Sequence, residues 1–382
     1  MNSKELWKVP YFHGLIDRSD AFDLLINNGD YIVRMSKKED KQILILSSIQ
    51  QNIETNNEIF VRNNLYHFDL NKKGHATLQS LIESQMNNKE DTEIILKKPI
   101  KRSEWELCYD DLEIGKILGK GMFGIVRKAR LNGRFDVAVK QDLNNSMEVY
   151  KEANILKNLH HDNIVRLFGI TLDQEPMLLV LEFCSRSLLD YLKSNTNLKN
   201  HSKLILIQDA ANGVDYLHEH NIIHCDLAAR NCLMSKTLKI KITDFGLSTK
   251  LNDKEEINVE KKAKLPIPYL AAETFIRKIL SKKTDVYSFG VLSWEIFENG
   301  KVPFKGLSDL EIARKVVNAE YLIFPTNTPK DFISKIIKNV FTVESKRFTM
   351  EKILIELNII IKKPEEEVNK LKSIENKGRK RK

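Results

Sequence analysis

The chain has 382 residues, 42% of them apolar, which is enough for two or three domains with a core in each. Its net charge is +9, but the lysines and arginines are spread along the whole sequence, so the charge reads as solvated surface and no nucleic-acid partner is expected. No run of about eighteen apolar residues could cross a bilayer, and the start, Met1-Asn2-Ser3-Lys4-Glu5, is neither a signal peptide nor a myristoylation site; the expected location is cytoplasmic. Four scattered cysteines, Cys108, Cys184, Cys225 and Cys232, lack metal-ligand spacing and predict free thiols.

Residues 11–25 read as an aromatic opening, Tyr11-Phe12-His13-Gly14, followed by a helix that Asp17 or Ser19 can cap. Asn27-Asn28-Gly29-Asp30 is a turn, after which strands are predicted at 31–36, 43–48, 58–62 and 65–70, and a second helix at 77–86. Arg34 stands inside an apolar strand, where a guanidinium must find an anion. Ser36, Lys37 and Lys38 beside it, and Arg18 on the preceding helix, point to an external anion. The set resembles an SH2 domain, over residues 7–97. The resemblance implies that Arg34 pairs with a phosphotyrosine phosphate, with Arg18, Ser36 and His67 completing the pocket. Asp69, two residues beyond His67, is expected to oppose the phosphate.

Residues 98–110 read as a short linker in which Trp105 is a packing residue. Next comes Gly119-Lys120-Gly121-Met122-Phe123-Gly124-Ile125-Val126, glycines between two strand-like runs whose bare backbone can approach phosphates. An apolar strand, Val137-Ala138-Val139-Lys140, carries one lysine, and a helical segment over 147–159 contains Glu152. The strand at 177–181 runs into Glu182-Phe183-Cys184. Helices are expected at 187–193 and 202–220, the latter with a core stripe of Leu206, Ala210, Gly213, Val214 and Leu217. The chain then reaches His224-Cys225-Asp226-Leu227-Ala228-Ala229-Arg230-Asn231 and Asp244-Phe245-Gly246. An aspartate five residues before an asparagine, with a second carboxylate soon after, supplies a base and two oxygen ligands for Mg²⁺.

These motifs, in this order over residues 111–362, resemble a protein kinase, and Ala228-Ala229-Arg230 resembles the form found in protein-tyrosine kinases. The resemblance implies an α+β architecture, an SH2 domain followed by a bilobal kinase domain, with ATP and Mg²⁺ as cofactors. Gly119, Lys120, Gly121, Met122, Phe123, Gly124, Val126, Ala138, Glu182 and Cys184 would surround the nucleotide. Lys140 would grip its phosphates while paired with Glu152; Asp226 would be the base, Arg230 its steadying partner, and Asn231 and Asp244 the metal ligands. Partners would be phosphotyrosine proteins and tyrosine substrates.

Three departures stand out. Cys225 replaces the arginine that in many kinases receives an activation-segment phosphate, and residues 245–265 contain no tyrosine, so activity is expected not to wait for tyrosine phosphorylation there. Pro266-Ile267-Pro268-Tyr269-Leu270-Ala271-Ala272-Glu273 resembles the peptide-positioning segment with Pro268, Tyr269 and Ala272 substituted. Residues 363–382 turn to charge and read as a solvated basic tail, through which, or through partners, any membrane contact would come. The order of domains resembles the Fes/Fer group of cytoplasmic tyrosine kinases, in a short form without the membrane-bending domain found there. The competing reading is an SH2 adaptor on a kinase fold that no longer catalyses, and Cys225 with the altered 268–272 stretch is its support.

Overall fold

The first sheet holds a buried arginine, Arg34, on a strand whose first six residues are all buried. The computed structural model describes residues 3–39, 41–87, 94–121, 124–142, 146–251, 254–259 and 265–362; Met122, Phe123 and the charged stretch 363–382 lie outside these described residues. The chain up to Ala153 together with Leu167–Phe183 forms one compact unit, and Asn154–Arg166 with the chain from Cys184 forms another.

The first unit begins with α1 (Ser3–Trp7) and α2 (Arg18–Asp23), the latter capped by Asp17, whose carboxylate accepts the Asp20 amide at 3.0 Å. Strands β1 (Asp30–Lys38), β2 (Lys41–Gln50), β3 (Ile53–Arg62) and β4 (Leu65–His67) follow in antiparallel succession, then α3 (Leu78–Asn87), which buries Leu78, Leu81 and Ile82 at helical spacing. The fourth strand is shorter than the sequence predicts. It ends at His67 because Asp69 takes the Asn71 amide at 2.8 Å and turns the chain.

The stretch expected to be a linker is largely tied down. Its β5 (Lys98–Pro99) adds a parallel strand beside Asp30 and Tyr31, giving the order β4-β3-β2-β1-β5. Arg102 donates to the carbonyls of Trp7 (2.6 Å), Val9 (2.7 Å) and Phe12 (2.5 Å), and its guanidinium lies 4.2 Å from the centre of the Trp7 ring. His13 Nδ1 lies 2.8 Å from the buried Glu106 carboxylate. Glu106 opens β6 (Glu106–Leu107).

A second sheet contains β7 (Leu112–Gly121), β8 (Gly124–Leu131) and β9 (Phe135–Gln141), followed by α4 (Ser146–Leu156), β10 (Leu167–Thr171) and β11 (Leu178–Glu182). Its order is β6-β10-β11-β9-β8-β7, with β6 parallel to β10. Leu107, Leu112, Ala129, Leu131, Val137, Val139, Leu178 and Val180 fill its core. Trp105 packs beside Tyr150, ring centres 6.3 Å apart, as a packing residue should. Gly14 closes on this sheet's end: Leu15 donates to the Leu172 carbonyl at 2.8 Å, and a Cβ on Gly14, at φ 62°, would stand 1.9 Å from that oxygen.

The second unit is mainly helical. After β12 (Arg186–Ser187) come α5 (Leu188–Ser194) and α6 (Asn200–Glu219), whose predicted stripe is buried throughout. Short pairs follow: β13 (Ile222–Ile223) with β16 (Thr249–Lys250), and β14 (Cys232–Met234) with β15 (Ile240–Ile242). Finally β17 (Glu256–Asn258) pairs with β18 (Ile279–Ser281), beyond α7 (Ala272–Arg277). Helix α8 (Lys282–Phe297) is buried on nearly every side, which marks it as the centre of this unit.

The Arg347 guanidinium pairs with both Glu273 oxygens, one at 3.2 Å, and also donates to the carbonyls of Val340, Lys283 and Thr342. Both side chains are nearly inaccessible, so every donor and acceptor is satisfied internally. Arg347→Ala leaves a buried carboxylate without its cation; it should lower the unfolding free energy by about 3–5 kcal/mol, read from urea titration of the purified chain.

Candidate active site and phosphate-binding pocket

In the first unit the alternation of β9 does the positioning. Val137 and Val139 enter the sheet core, which leaves Ala138 and Lys140 on the opposite face, beside Val126 and Leu181 in the ladder. Lys140 Nζ lies 2.7 Å from a carboxylate oxygen of Glu152 on α4, and Glu152 is buried. Gly119, Lys120 and Gly121 pair with Val126, Ile125 and Gly124 at the end of the β7–β8 hairpin. Gly124 has φ 122°, and a Cβ there would meet the Gln141 carbonyl at 1.9 Å, so no other residue fits. Met122 and Phe123 lie outside the described residues. Glu182 ends β11 opposite Val137, while Cys184 falls in the second unit; both are half-buried.

In the second unit the loop that carries Asp226 closes through a single 3₁₀ turn, Ala229–Asn231. Asp226 is 4% exposed, and both its carboxylate oxygens are engaged: Arg230 Nη2 donates to Oδ1, and Asn231 Nδ2 donates to Oδ2 at 2.8 Å. Burial pushes the Asp226 carboxyl above its ordinary range, Arg230, His224 and Asn231 pull it back, and the charge of Asp244 adds to the rise. Asp244 is therefore within electrostatic reach of Asp226.

The β14–β15 register explains why. Cys232 pairs with Ile242, and the Thr243 amide donates to the Asn231 carbonyl at 3.0 Å, which sets Asn231 beside Asp244 at the mouth of one hairpin. Asn231 Nδ2 also donates to the Asp226 carbonyl at 2.9 Å. With its nitrogen committed twice, the amide presents its oxygen as the free ligand atom. One carboxylate and one amide oxygen are hard donors that suit Mg²⁺, which takes few protein ligands and fills its octahedron with water and phosphate. Among the described residues no cluster of three metal-ligating His, Cys, Asp or Glu side chains exists.

Cys225 is buried, and burial raises its thiol well above the ordinary value, so it is an inert thiol. It sits in an apolar cluster with Ile223, Leu251 and Leu280, against which Leu247, Ile257, Val259 and Leu265 pack. The segment after Asp244 is further held by the β13–β16 and β17–β18 pairs, and Ser248 Oγ donates to the His224 carbonyl at 3.1 Å.

Arg34, 3% exposed, donates from Nε to Ser47 Oγ at 2.9 Å and from Nη2 to Asn56 Oδ1 at 3.2 Å. The strand register places Ile32 opposite Ser47 and Ser47 opposite Asn56, so Arg34, Ser36, Ser47 and Asn56 share one face. Burial, together with the Arg18 charge, lowers the Arg34 pKa, which puts Arg18 close to it. Ser47 and Asn56 escaped the sequence reading; a serine and an asparagine at matching register on the arginine's face were the available signal. His67 stands opposite Phe60 on the same sheet face as Asn56, with its Nδ1 3.3 Å from the Lys72 carbonyl and its ring under Gly74. Asp69, in the turn that follows, is taken up by Asn71.

Comparisons with known proteins agree with both halves. A family described as protein tyrosine and serine/threonine kinase matches residues 112–357, and one described as SH2 domain matches residues 11–85. Fer-related kinase 1 of Caenorhabditis elegans is 32% identical over 333 residues, covering 83% of this chain and 84% of that protein. The spermatocyte protein spe-8 of Caenorhabditis briggsae is 29% identical over 367 residues, 91% of this chain and 70% of that protein. Tyrosine-protein kinase Fer of Homo sapiens is 33% identical over 353 residues, 88% of this chain and 42% of that protein. The kinase match spans well over half the chain, the SH2 match precedes it, and a Fer-related kinase is matched over most of its length; the chain belongs to the Fer/Fps-like non-receptor tyrosine kinases.

Proposed function

We propose that the protein transfers the γ-phosphate of Mg·ATP to tyrosine hydroxyls of partner proteins in the cytoplasm, and that SH2 capture of phosphotyrosine brings it to them. The observation that carries this reading is Asp226, buried and held on both oxygens by Arg230 and Asn231. So fixed, its carboxylate is set to accept the proton of an incoming phenol and to orient the oxygen for in-line attack. Arg230 is the cation beside that phenol, and Ala228, two residues from Asp226, leaves room where a serine kinase would carry a lysine. Lys140, aimed by Glu152, would hold the α- and β-phosphates. Asn231 and Asp244 would hold Mg²⁺, which neutralises phosphate charge when bound. The five groups on which transfer depends are all present, which favours the enzyme over a silent adaptor.

The pocket around Arg34 supplies the second activity. A buried guanidinium anchored by Ser47 and Asn56 is preorganised for a phosphate dianion, and Arg18 adds charge from α2. The apolar cluster around Cys225 supports a further point: Leu247, Leu251, Ile257, Val259 and Leu265 are held by packing, without a phosphate.

Three experiments test these statements. With Mg·ATP and poly(Glu,Tyr), the native chain should transfer phosphate to tyrosine, and Asp226→Asn should lower the rate at least about a hundredfold; no transfer by the native chain would favour the adaptor. Arg34→Leu should abolish capture of phosphotyrosine peptides on a sensor surface while the kinase rate on poly(Glu,Tyr) persists. Phosphatase-treated protein should keep its rate, with mass spectrometry finding no activating phosphate on Ser248 or Thr249.

A further inference from the structure

Tyr269 stands where the sequence departs from the family pattern, and its surroundings are specific. It ends the turn Ile267–Tyr269, is 6% exposed, and its hydroxyl donates to Glu295 Oε1 at 2.9 Å. The other oxygen of Glu295, a buried residue of α8, accepts the Ala229 amide at 2.8 Å. The Arg230 guanidinium lies 4.9 Å from the centre of the Tyr269 ring and reaches from there to Asp226 Oδ1. Arg230 is thus bonded to Asp226 while its charge also acts on Glu295.

We propose that Tyr269 and Glu295 are positioning residues for the phosphotransfer, holding Arg230 on Asp226. The tyrosine hydroxyl satisfies the Glu295 oxygen that would otherwise draw the guanidinium inward, while the ring gives that guanidinium a flat apolar support by cation–π contact. Glu295 in turn fixes the Ala229 amide and with it the turn that carries Arg230 and Asn231. Burial raises the Glu295 pKa to about 7, against the pull of the Ala229 amide, the Tyr269 hydroxyl and the Arg230 charge. Loss of the hydroxyl leaves one of them missing, and Arg230 is the cation at hand.

The inference rests on the kinase reading, and one experiment separates the two. Steady-state rates on poly(Glu,Tyr) are measured for the native chain, Tyr269→Phe, Arg230→Ala and the double variant, with melting temperatures beside them. Tyr269→Phe should lower kcat about ten- to a hundredfold with KM for ATP unchanged, because only the geometry at Asp226 is disturbed. In the Arg230→Ala background the same change should cost nothing further, since its effect passes through that arginine. Tyr269→Phe combined with Glu295→Gln, which removes the competing charge, should recover most of the rate. Transfer by the native chain with a Tyr269→Phe rate within about twofold of it, or with multiplicative losses in the double variant, overturns the positioning role alone. A Tyr269→Phe protein that melts early and is not rescued by Glu295→Gln also overturns it. A native chain without transfer removes the kinase reading and this inference with it.

Discussion

The catalytic loop depends on one buried carboxylate. Asp285, 1% exposed on α8, accepts the His224 amide at 2.7 Å and the Cys225 amide at 3.0 Å, with His218 Nε2 3.2 Å away. Two consecutive amides can aim at one carboxylate only if the backbone between them turns, and Cys225 accordingly has φ 65°. A non-glycine residue there costs about 1–3 kcal/mol. Each charge-assisted hydrogen bond contributes roughly 1.5–3 kcal/mol, so the pair outweighs the strain. The turn is what delivers Asp226 to Arg230 and Asn231.

The same turn buries the Cys225 side chain, and this decides what can order the segment that follows. An arginine at 225 would need an anion brought to it, the role a phosphate serves in kinases that have one. A cysteine needs only apolar neighbours, and Ile223, Leu251 and Leu280 supply them. Contact area of this kind is present as soon as the chain folds. The absence of tyrosine from residues 245–265 is the sequence counterpart of this packing.

The parts of the site set by short chain spacing were legible before the structure. Asp226, Arg230 and Asn231 lie within one turn and a short hairpin, and their order in the chain nearly dictates their contacts. The Lys140–Glu152 pair was legible through strand alternation and a following helix. What could not be read depends on register between strands: Ser47 and Asn56 meet Arg34 only because β2 and β3 align as they do, and a shift of one residue would turn both away. The early end of β4 was hidden likewise, in a turn that holds the His67 ring against Lys72 and Gly74. Glu295 gave no local signal, lying 65 residues beyond Arg230 on a helix whose every side is buried.

The stretch 98–110 is a connector short enough to leave its neighbours little freedom. Lysine, arginine, proline and serine are the residues of a solvated tether, and a free tether would leave the SH2 pocket and the kinase sheet linked only through an effective concentration set by its length. Here its groups are spent on neighbours. Lys98–Pro99 extends the SH2 sheet, Glu106–Leu107 extends the kinase sheet, and Arg102 saturates three carbonyls of the segment that opens the SH2 domain. Glu106 pairs with His13, and Leu15 bonds Leu172. The SH2 domain and the β10–β11 end of the kinase sheet therefore share one folded unit.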